Sequence, residues 1–186
     1  MLEVLSLFTA YLFETQPIIR KVKDRFNLER LKESDLLSVG VLVGLSLILG
    51  LVIGMISSIQ LSVGREYVPS WVFLAVLASF VLVQLQYLLL KHFRVIGMGL
   101  AFFMLISYVY LSSAIGTTAT LSGLPALVKN VNLLSILEGQ FAGYFDGQTA
   151  GIGVFFGLLV FFGLLTVANI FIPKKFTQTK EIESSL

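Results

Sequence analysis

The stretch LLSVGVLVGLSLILGLVIGMISSI, residues 36–59, decides the fold of this chain. It holds no charged side chain, and about 20 apolar residues in a helix cross ~30 Å of hydrocarbon. Residues 70–90, 95–115 and 151–173 form three further runs of the same character. Because only helices and closed barrels satisfy their backbone polar groups in lipid, the sequence predicts an all-α integral membrane protein with a bundle of four transmembrane helices.

The composition of the whole chain agrees with this prediction. Of the 186 residues 56% are hydrophobic and only 13% are charged, whereas soluble domains carry about 25% charged residues. The absence of cysteine excludes disulfides and thiolate metal sites. We expect the lipid bilayer as the partner of this surface, no nucleic acid and no cofactor.

The distribution of Lys and Arg predicts the orientation of the chain. Of the 13 basic residues, all but Arg65 and Lys129 lie between residues 14 and 35, in the turn at residues 91–94, or after residue 173. We therefore expect the protein to lie in the plasma membrane, with these segments in the cytoplasm. The chain divides into an N-terminal interfacial helix with a cytoplasmic segment (1–35), a four-span membrane domain (36–173) and a cytoplasmic tail (174–186).

The first 13 residues, MLEVLSLFTAYLF, are too short to cross the bilayer as a helix. Glu3 is unlike the basic start of a signal peptide. We favour a short interfacial helix, and the alternative is the inner end of a longer span. Six basic residues come after this segment. They would either contact anionic lipid or form a docking surface for a cytoplasmic partner. These residues are Arg20, Lys21, Lys23, Arg25, Arg30 and Lys32.

Pairs of glycines four residues apart recur in the first and last runs. Such small residues let helix backbones approach closely in membranes. The two interpretations are packing within the bundle and a subunit interface. The pairs are Gly40 and Gly44, Gly50 and Gly54, and Gly153 and Gly157. Gln84, Gln86 and Asn169 near the cytoplasmic side are expected to form hydrogen bonds between helices.

The segment between the third and fourth runs has a helical apolar period over residues 122–141. This spacing predicts an amphipathic helix lying along the outer leaflet, and a re-entrant hairpin is the alternative if protein covers it. Its apolar stripe consists of Leu124, Leu127, Val128, Val131, Leu134, Leu137 and Phe141, while Lys129, Asn130, Asn132, Ser135 and Glu138 fall mainly elsewhere.

Residue types that carry chemistry are scarce. None of the four runs contains an ionisable side chain, which disfavours a proton- or ion-coupled carrier. The one histidine, His92, has no cysteine or nearby carboxylate with which to bind zinc. The sequence therefore predicts a protein that is not an enzyme.

The run YVYLSSAIGTTATLSGLPALVKNVNLLSILEGQFAGYFDGQ, residues 108–148, resembles the C-terminal membrane region of the YhgE/Pip family. That family includes the EsaA component of bacterial type VII secretion, and its architecture is related to the permeases of ABC exporters. The resemblance extends over residues 36–173. It departs at Ile115-Gly116-Thr117, where the family has Gly-Gly-Thr, and no Pro-Thr-Tyr element follows.

This resemblance implies a polytopic membrane subunit of an export or secretion assembly, forming homo-oligomers or binding other membrane subunits. One alternative is half of an ABC exporter permease, working with a separate cytoplasmic ATPase. Another is a small stand-alone carrier or channel. The resemblance implies no catalytic residue.

The charge distribution makes the topology testable, because the chain has no native cysteine. Glu33→Cys and Lys180→Cys are expected to resist an impermeant thiol reagent in intact cells, and Lys129→Cys to react with it. Labelling at residue 180 without labelling at residue 129 would reverse the orientation.

Overall fold

The computed structural model describes residues 2–15, 35–93, 95–115 and 123–172, and every regular element in them is a helix. This confirms the predicted all-α class. The helices, in chain order, are α1 Leu2–Thr15, α2 Asp35–Gln60, α3 Val68–Phe93, α4 Val95–Ile115, α5 Leu124–Val131, α6 Leu133–Gly143 and α7 Ile152–Phe171, with a 3-10 turn at Tyr144–Asp146.

Three helices are long and apolar enough to cross a membrane: α2 from Leu37 to Gln60, α3 and α7. They coincide with three of the four predicted runs. Helix α4 has the bounds that the sequence predicts, Val95–Ile115. Its described apolar part, Val95–Leu111, is shorter than the other three. A count of four spans therefore stays a prediction.

Helix α3 lies at the centre of the bundle, with α1, α2, α4 and α7 packed against it. The buried share of its most apolar stretch is 67%, against 28% for α2 and 17% for α7. Helix α7 runs parallel to α3, since Phe73 meets Phe155 and Phe80 meets Phe162, with ring centroids 5.3 and 4.9 Å apart. A helix that is apolar all round suits such an enclosed position.

Helices α2 and α3 pack closely through one of the predicted glycine pairs. A Cβ atom added to Gly50 would lie 2.5 Å from Val76 Cα, and one added to Gly54 would lie 3.1 Å from Val72 Cα. This glycine pair therefore lets the two backbones approach as small residues do in membranes.

The remaining predicted glycines have a different environment. No atom of the described chain outside their own helix lies within 4 Å of a Cβ added to Gly40, Gly44, Gly153 or Gly157. Within one chain these positions make no close helix contact, so their role at a subunit interface stays a prediction.

Gly97 has the tightest surroundings of the described glycines, and it lies just after the turn between α3 and α4. It was not among the glycines predicted to pack. A Cβ there would overlap the Leu89 carbonyl group. Helices α3 and α4 therefore approach each other so closely at this turn that no residue larger than glycine fits at position 97. The feature of the sequence that indicates this contact is a glycine shortly after the basic turn at residues 91–94.

Helix α1 packs into the bundle beside the second half of α3. Leu7, Ala10 and Phe13 are buried in a cluster with residues of α2 and α3, and the Phe13 ring lies 5.7 Å from that of Tyr87. The opposite face of α1 exposes Val4, Phe8 and Tyr11, so the interfacial position that the sequence favoured stays a prediction. The predicted docking residues Arg20, Lys21, Lys23, Arg25, Arg30 and Lys32, and the tail 174–186, lie outside the described residues.

The α2–α3 contact predicts a contrast between two glycines of one helix. Gly50→Ala is expected to lower the free energy of unfolding by about 1–3 kcal/mol, the usual range for overpacking, because its new methyl group meets the α3 backbone. Gly44→Ala is the matched control and should leave stability unchanged or slightly higher. Thermal unfolding in detergent measures both, and equal melting temperatures would contradict this packing.

Candidate functional site

The outer segment consists of two helices, α5 and α6, and not the single helix over 122–141 that the spacing predicted. The break falls at Asn132, whose backbone is extended with φ −70° and ψ 114°. The prediction was wrong at this position because a contact distant in sequence competes with the helical conformation.

The side chain of Asn132 makes that contact with α4. Its Nδ2 donates to the Met104 carbonyl oxygen at 2.9 Å and to Ser107 Oγ at 3.1 Å. Its Oδ1 accepts from the Leu134 backbone N–H at 2.9 Å, which caps the start of α6. Asn132 is buried, although the apolar spacing placed it on the polar face. One amide group therefore both ends one helix and begins the next.

The break lies deep in the bundle. Met104 is near the middle of α4. Helix α6 then runs beside α3, and in the turn after α6 the Tyr144 hydroxyl forms a hydrogen bond of 2.6 Å with Ser70 Oγ. We call α5, Asn132 and α6 the hairpin. Protein covers its polar break, as irregular backbone inside lipid would require. The re-entrant form and the helix along the outer leaflet, the two alternatives from the sequence, both stay predictions.

The hairpin divides the predicted apolar stripe between two surroundings. Leu134 and Leu137 on α6 are buried, and Phe141 packs against the same core. Leu124 and Val131 on α5 are 76% and 79% exposed, and Leu127 and Val128 also face outward. Half of the stripe therefore holds the hairpin in the bundle, and the other half is open to lipid or to another subunit.

Aromatic side chains hold the C-terminal end of α6 against the first turn of α3. The Trp71 ring on α3 lies 4.7 Å from Phe141, 5.5 Å from Tyr144 and 5.8 Å from Phe145, centroid to centroid and edge to face. Its Nε1 donates to Ser57 Oγ on α2 at 2.9 Å. Edge-to-face pairs add to the free energy of apolar burial, so this cluster joins α2, α3 and α6.

The loop between α2 and α3 continues the cluster. Tyr67 lies edge to face with Tyr144, 6.3 Å between centroids. The charge of the Glu66 carboxylate raises the pKa of the Tyr67 hydroxyl. Gly147 has a φ of 72°, which favours glycine, where the chain turns toward α7.

Polar side chains connect α7 to α3 toward the C-terminal ends of both helices. Asn169 Nδ2 donates to the Gln84 carbonyl oxygen at 3.0 Å and to Gln84 Oε1 at 2.7 Å. Lys91 Nζ donates to the Asn169 carbonyl oxygen at 2.7 Å, near the end of α7 where carbonyls lack helical partners. These bonds confirm the interhelical role predicted for Gln84 and Asn169.

Glu3 is the site residue that the sequence analysis missed. Only 4% of it is exposed, and within the described chain neither carboxylate oxygen accepts a hydrogen bond. Gln86 Nε2 instead donates to the Glu3 carbonyl oxygen at 3.5 Å. A signal was present, because Glu3 precedes the buried Leu7 and Ala10 by four and seven residues, the period of one helix face.

Two cavities adjoin the hairpin. One of about 520 Å³ lies between α1, α2, α3, α4 and α6, and its lining includes Glu3, Trp71, Leu105 and Leu134. The other, of about 710 Å³, lies between the hairpin, α4 and α7 and has mainly apolar walls such as Phe103 and Phe161. Among the residues described, no group of three or more metal-ligating His, Cys, Asp or Glu occurs.

The EsaA helical domain model matches residues 1–170. The chain belongs to the EsaA helical domain family. This confirms the resemblance carried by residues 108–148 and is consistent with an EsaA-like component of type VII secretion. Together with the three helices able to span a membrane, it indicates a membrane protein. Neither the curated proteins nor the solved structures compared with this EsaA domain gave a match.

Asn132 allows a sharp test of the hairpin. Asn132→Ala removes the cap of α6 and the bonds to α4, and a lost cap alone costs about 0.5–2 kcal/mol. Amide hydrogen exchange in the first turn of α6 is therefore expected to accelerate. Asn130→Ala, an exposed position in the same hairpin, is the matched control. Unchanged exchange in Asn132→Ala would show that the break is held by other contacts.

Proposed function

We propose that this EsaA domain is a non-enzymatic, multi-pass subunit of an export assembly in the cell membrane, and that its hairpin shapes the outer mouth of that assembly. The observation that carries the proposal is the anchoring of Asn132 to the middle of α4. It holds an irregular piece of chain inside the bundle, on the side where the loops are predicted to face out.

The two faces of the hairpin suit such a role. The α6 face is fixed to α3 by apolar and aromatic packing. The α5 face presents Leu124, Leu127 and Val131 to the surroundings. An exposed apolar face beside an anchored one is the arrangement expected of an element that contacts a neighbouring subunit at its free side.

The absence of an enzymatic role is part of the proposal. The hydrogen bonds formed by the polar side chains Gln84, Asn132 and Asn169 join helices to one another. These polar groups therefore serve to hold the bundle together. We infer an assembly that works through helix contacts, with cytoplasmic N-terminal and C-terminal segments and α4 as the fourth span.

The partners are proposed to be a second copy of this chain or other membrane subunits. Helices α2 and α7 each carry a glycine pair with open space beside it, Gly40 with Gly44 and Gly153 with Gly157. Helix α7 is also the least buried of the three spanning helices. Both features favour close approach of another helix from outside.

Co-purification after mild detergent extraction tests the proposal. The wild-type chain is expected to migrate in a large complex with other type VII secretion membrane proteins. The double variant Leu127→Ala, Val131→Ala should lose that complex while its helix content stays unchanged. Ile59→Ala, which truncates an exposed apolar side chain outside the hairpin, is the matched control.

The other outcomes discriminate between the alternatives. A cytoplasmic ATPase as the sole co-purifying protein would replace this proposal with an ABC exporter permease. A complex of this chain alone would indicate a stand-alone carrier or channel. An intact complex in the double variant would remove the hairpin from the interface.

A further inference from the structure

The cavity that contains Glu3 has an uncommon combination of walls. Its sides are apolar, with Ala78, Leu105 and Leu134 from three different helices, and its volume is about 520 Å³. Ligand sites in proteins usually range from ~300 to ~1,000 Å³ and place few polar groups among apolar walls. The size and lining of this cavity therefore suit a small organic molecule.

The inner end of the cavity carries an unpaired acid. Only 4% of Glu3 is exposed. In the part of the chain described here its carboxylate oxygens make no hydrogen bond of good geometry, and the neighbouring Gln86 amide donates to the Glu3 backbone carbonyl instead. A buried carboxylate without a partner is costly in a low-dielectric interior. A cation in the cavity would supply the missing charge, whereas a neutral or anionic ligand would not.

The outer end of the cavity is aromatic. Trp71, Phe141 and Phe145 line it and pack edge to face with one another through Trp71. Aromatic faces attract cations, and groups of them bind quaternary ammonium compounds. Leu61 and Phe145 at this end are 50% and 57% exposed, which places the opening of the cavity on the outer side.

The length of the cavity follows from α3. Trp71 and Leu82 both line it, and their separation of eleven positions corresponds to a rise of about 16 Å in a helix. A molecule with a positive centre and bulky apolar groups fits such a space better than an inorganic ion does. The apolar side walls leave a bare metal ion without ligands there.

From this geometry we propose that the cavity between α1, α3 and the hairpin binds a lipophilic organic cation, with the Glu3 carboxylate as its counter-ion and the Trp71 cluster as its aromatic wall. The site is separate from the α5 face that the proposed function assigns to subunit contacts. A protein that assembles normally can therefore still fail to bind the cation, and the two proposals are tested separately.

Trp71 makes the binding measurable because it is the chain's one tryptophan. The purified full chain in lipid nanodiscs is titrated with tetraphenylphosphonium and, separately, with tetraphenylborate, an anion of nearly the same shape. Saturable change of the Trp71 fluorescence is expected with the cation, at an affinity at least tenfold higher than with the anion. Equal affinity for both ions would overturn the proposal.

Two carboxylate variants locate the charge. Glu3→Gln keeps the shape of the side chain, and its affinity for the cation should fall at least tenfold, to that for the anion. Glu138→Gln removes the exposed carboxylate at the rim, and water screening should limit its effect to less than twofold. Equal losses in both variants, or no loss in Glu3→Gln, would contradict the role of Glu3.

A third variant keeps the test decisive if Glu3→Gln does not fold. Ala142 lines the cavity from an exposed position on α6, so Ala142→Phe adds a ring to the cavity with little effect on the core. It is expected to abolish the saturable fluorescence change while Glu3 is intact. Unchanged cation binding in Ala142→Phe would show that the ligand lies elsewhere.

Discussion

Polar side chains on an enclosed helix set the constraint on which this bundle depends. Helix α3 is surrounded by α1, α2, α4 and α7, and it carries Gln84, Gln86 and Lys91 in its buried inner half. Buried polar groups of this kind need hydrogen-bond partners, which neighbouring helices provide here. Asn169 supplies them from α7 and the Glu3 carbonyl from α1. The positions of the first and last helices follow from this requirement.

The outer half of the bundle is held in a different way. Trp71 packs against aromatic side chains of the hairpin, and Asn132 joins the hairpin to α4. The aromatic contacts are broad and carry the hydrogen bonds of Trp71 to Ser57 and of Tyr144 to Ser70 at their edges, whereas the amide at Asn132 fixes one register. The hairpin is therefore held by an aromatic cluster at one end and by the Asn132 hydrogen bonds at the other. The cavity next to Glu3 lies in the space between these two supports.

Hydropathy, a local property, predicted α2, α3 and α7 nearly to their ends, and α4 to its bounds. Contacts distant in sequence decided the rest. The bonds of Asn132 to α4 broke the predicted outer helix, and the neighbours of Gly50 and Gly44 distinguished two glycines that look alike in sequence. Glu3 became a buried acid only through the packing of α1 on α3. The lack of ionisable residues in the four runs therefore understated the buried charge of the bundle.

The bond between Gln84 and Asn169 also gives the chain an order of completion. Chains are made from the N-terminus, so α3 enters the bilayer when Asn169 has yet to be synthesised. Until α7 arrives, Gln84 Oε1 lacks the donor that it has in the finished bundle, and the inner half is left with an unmet polar group. A chain that stops before Asn169 therefore keeps Gln84 Oε1 without this donor, at a buried position of its central helix.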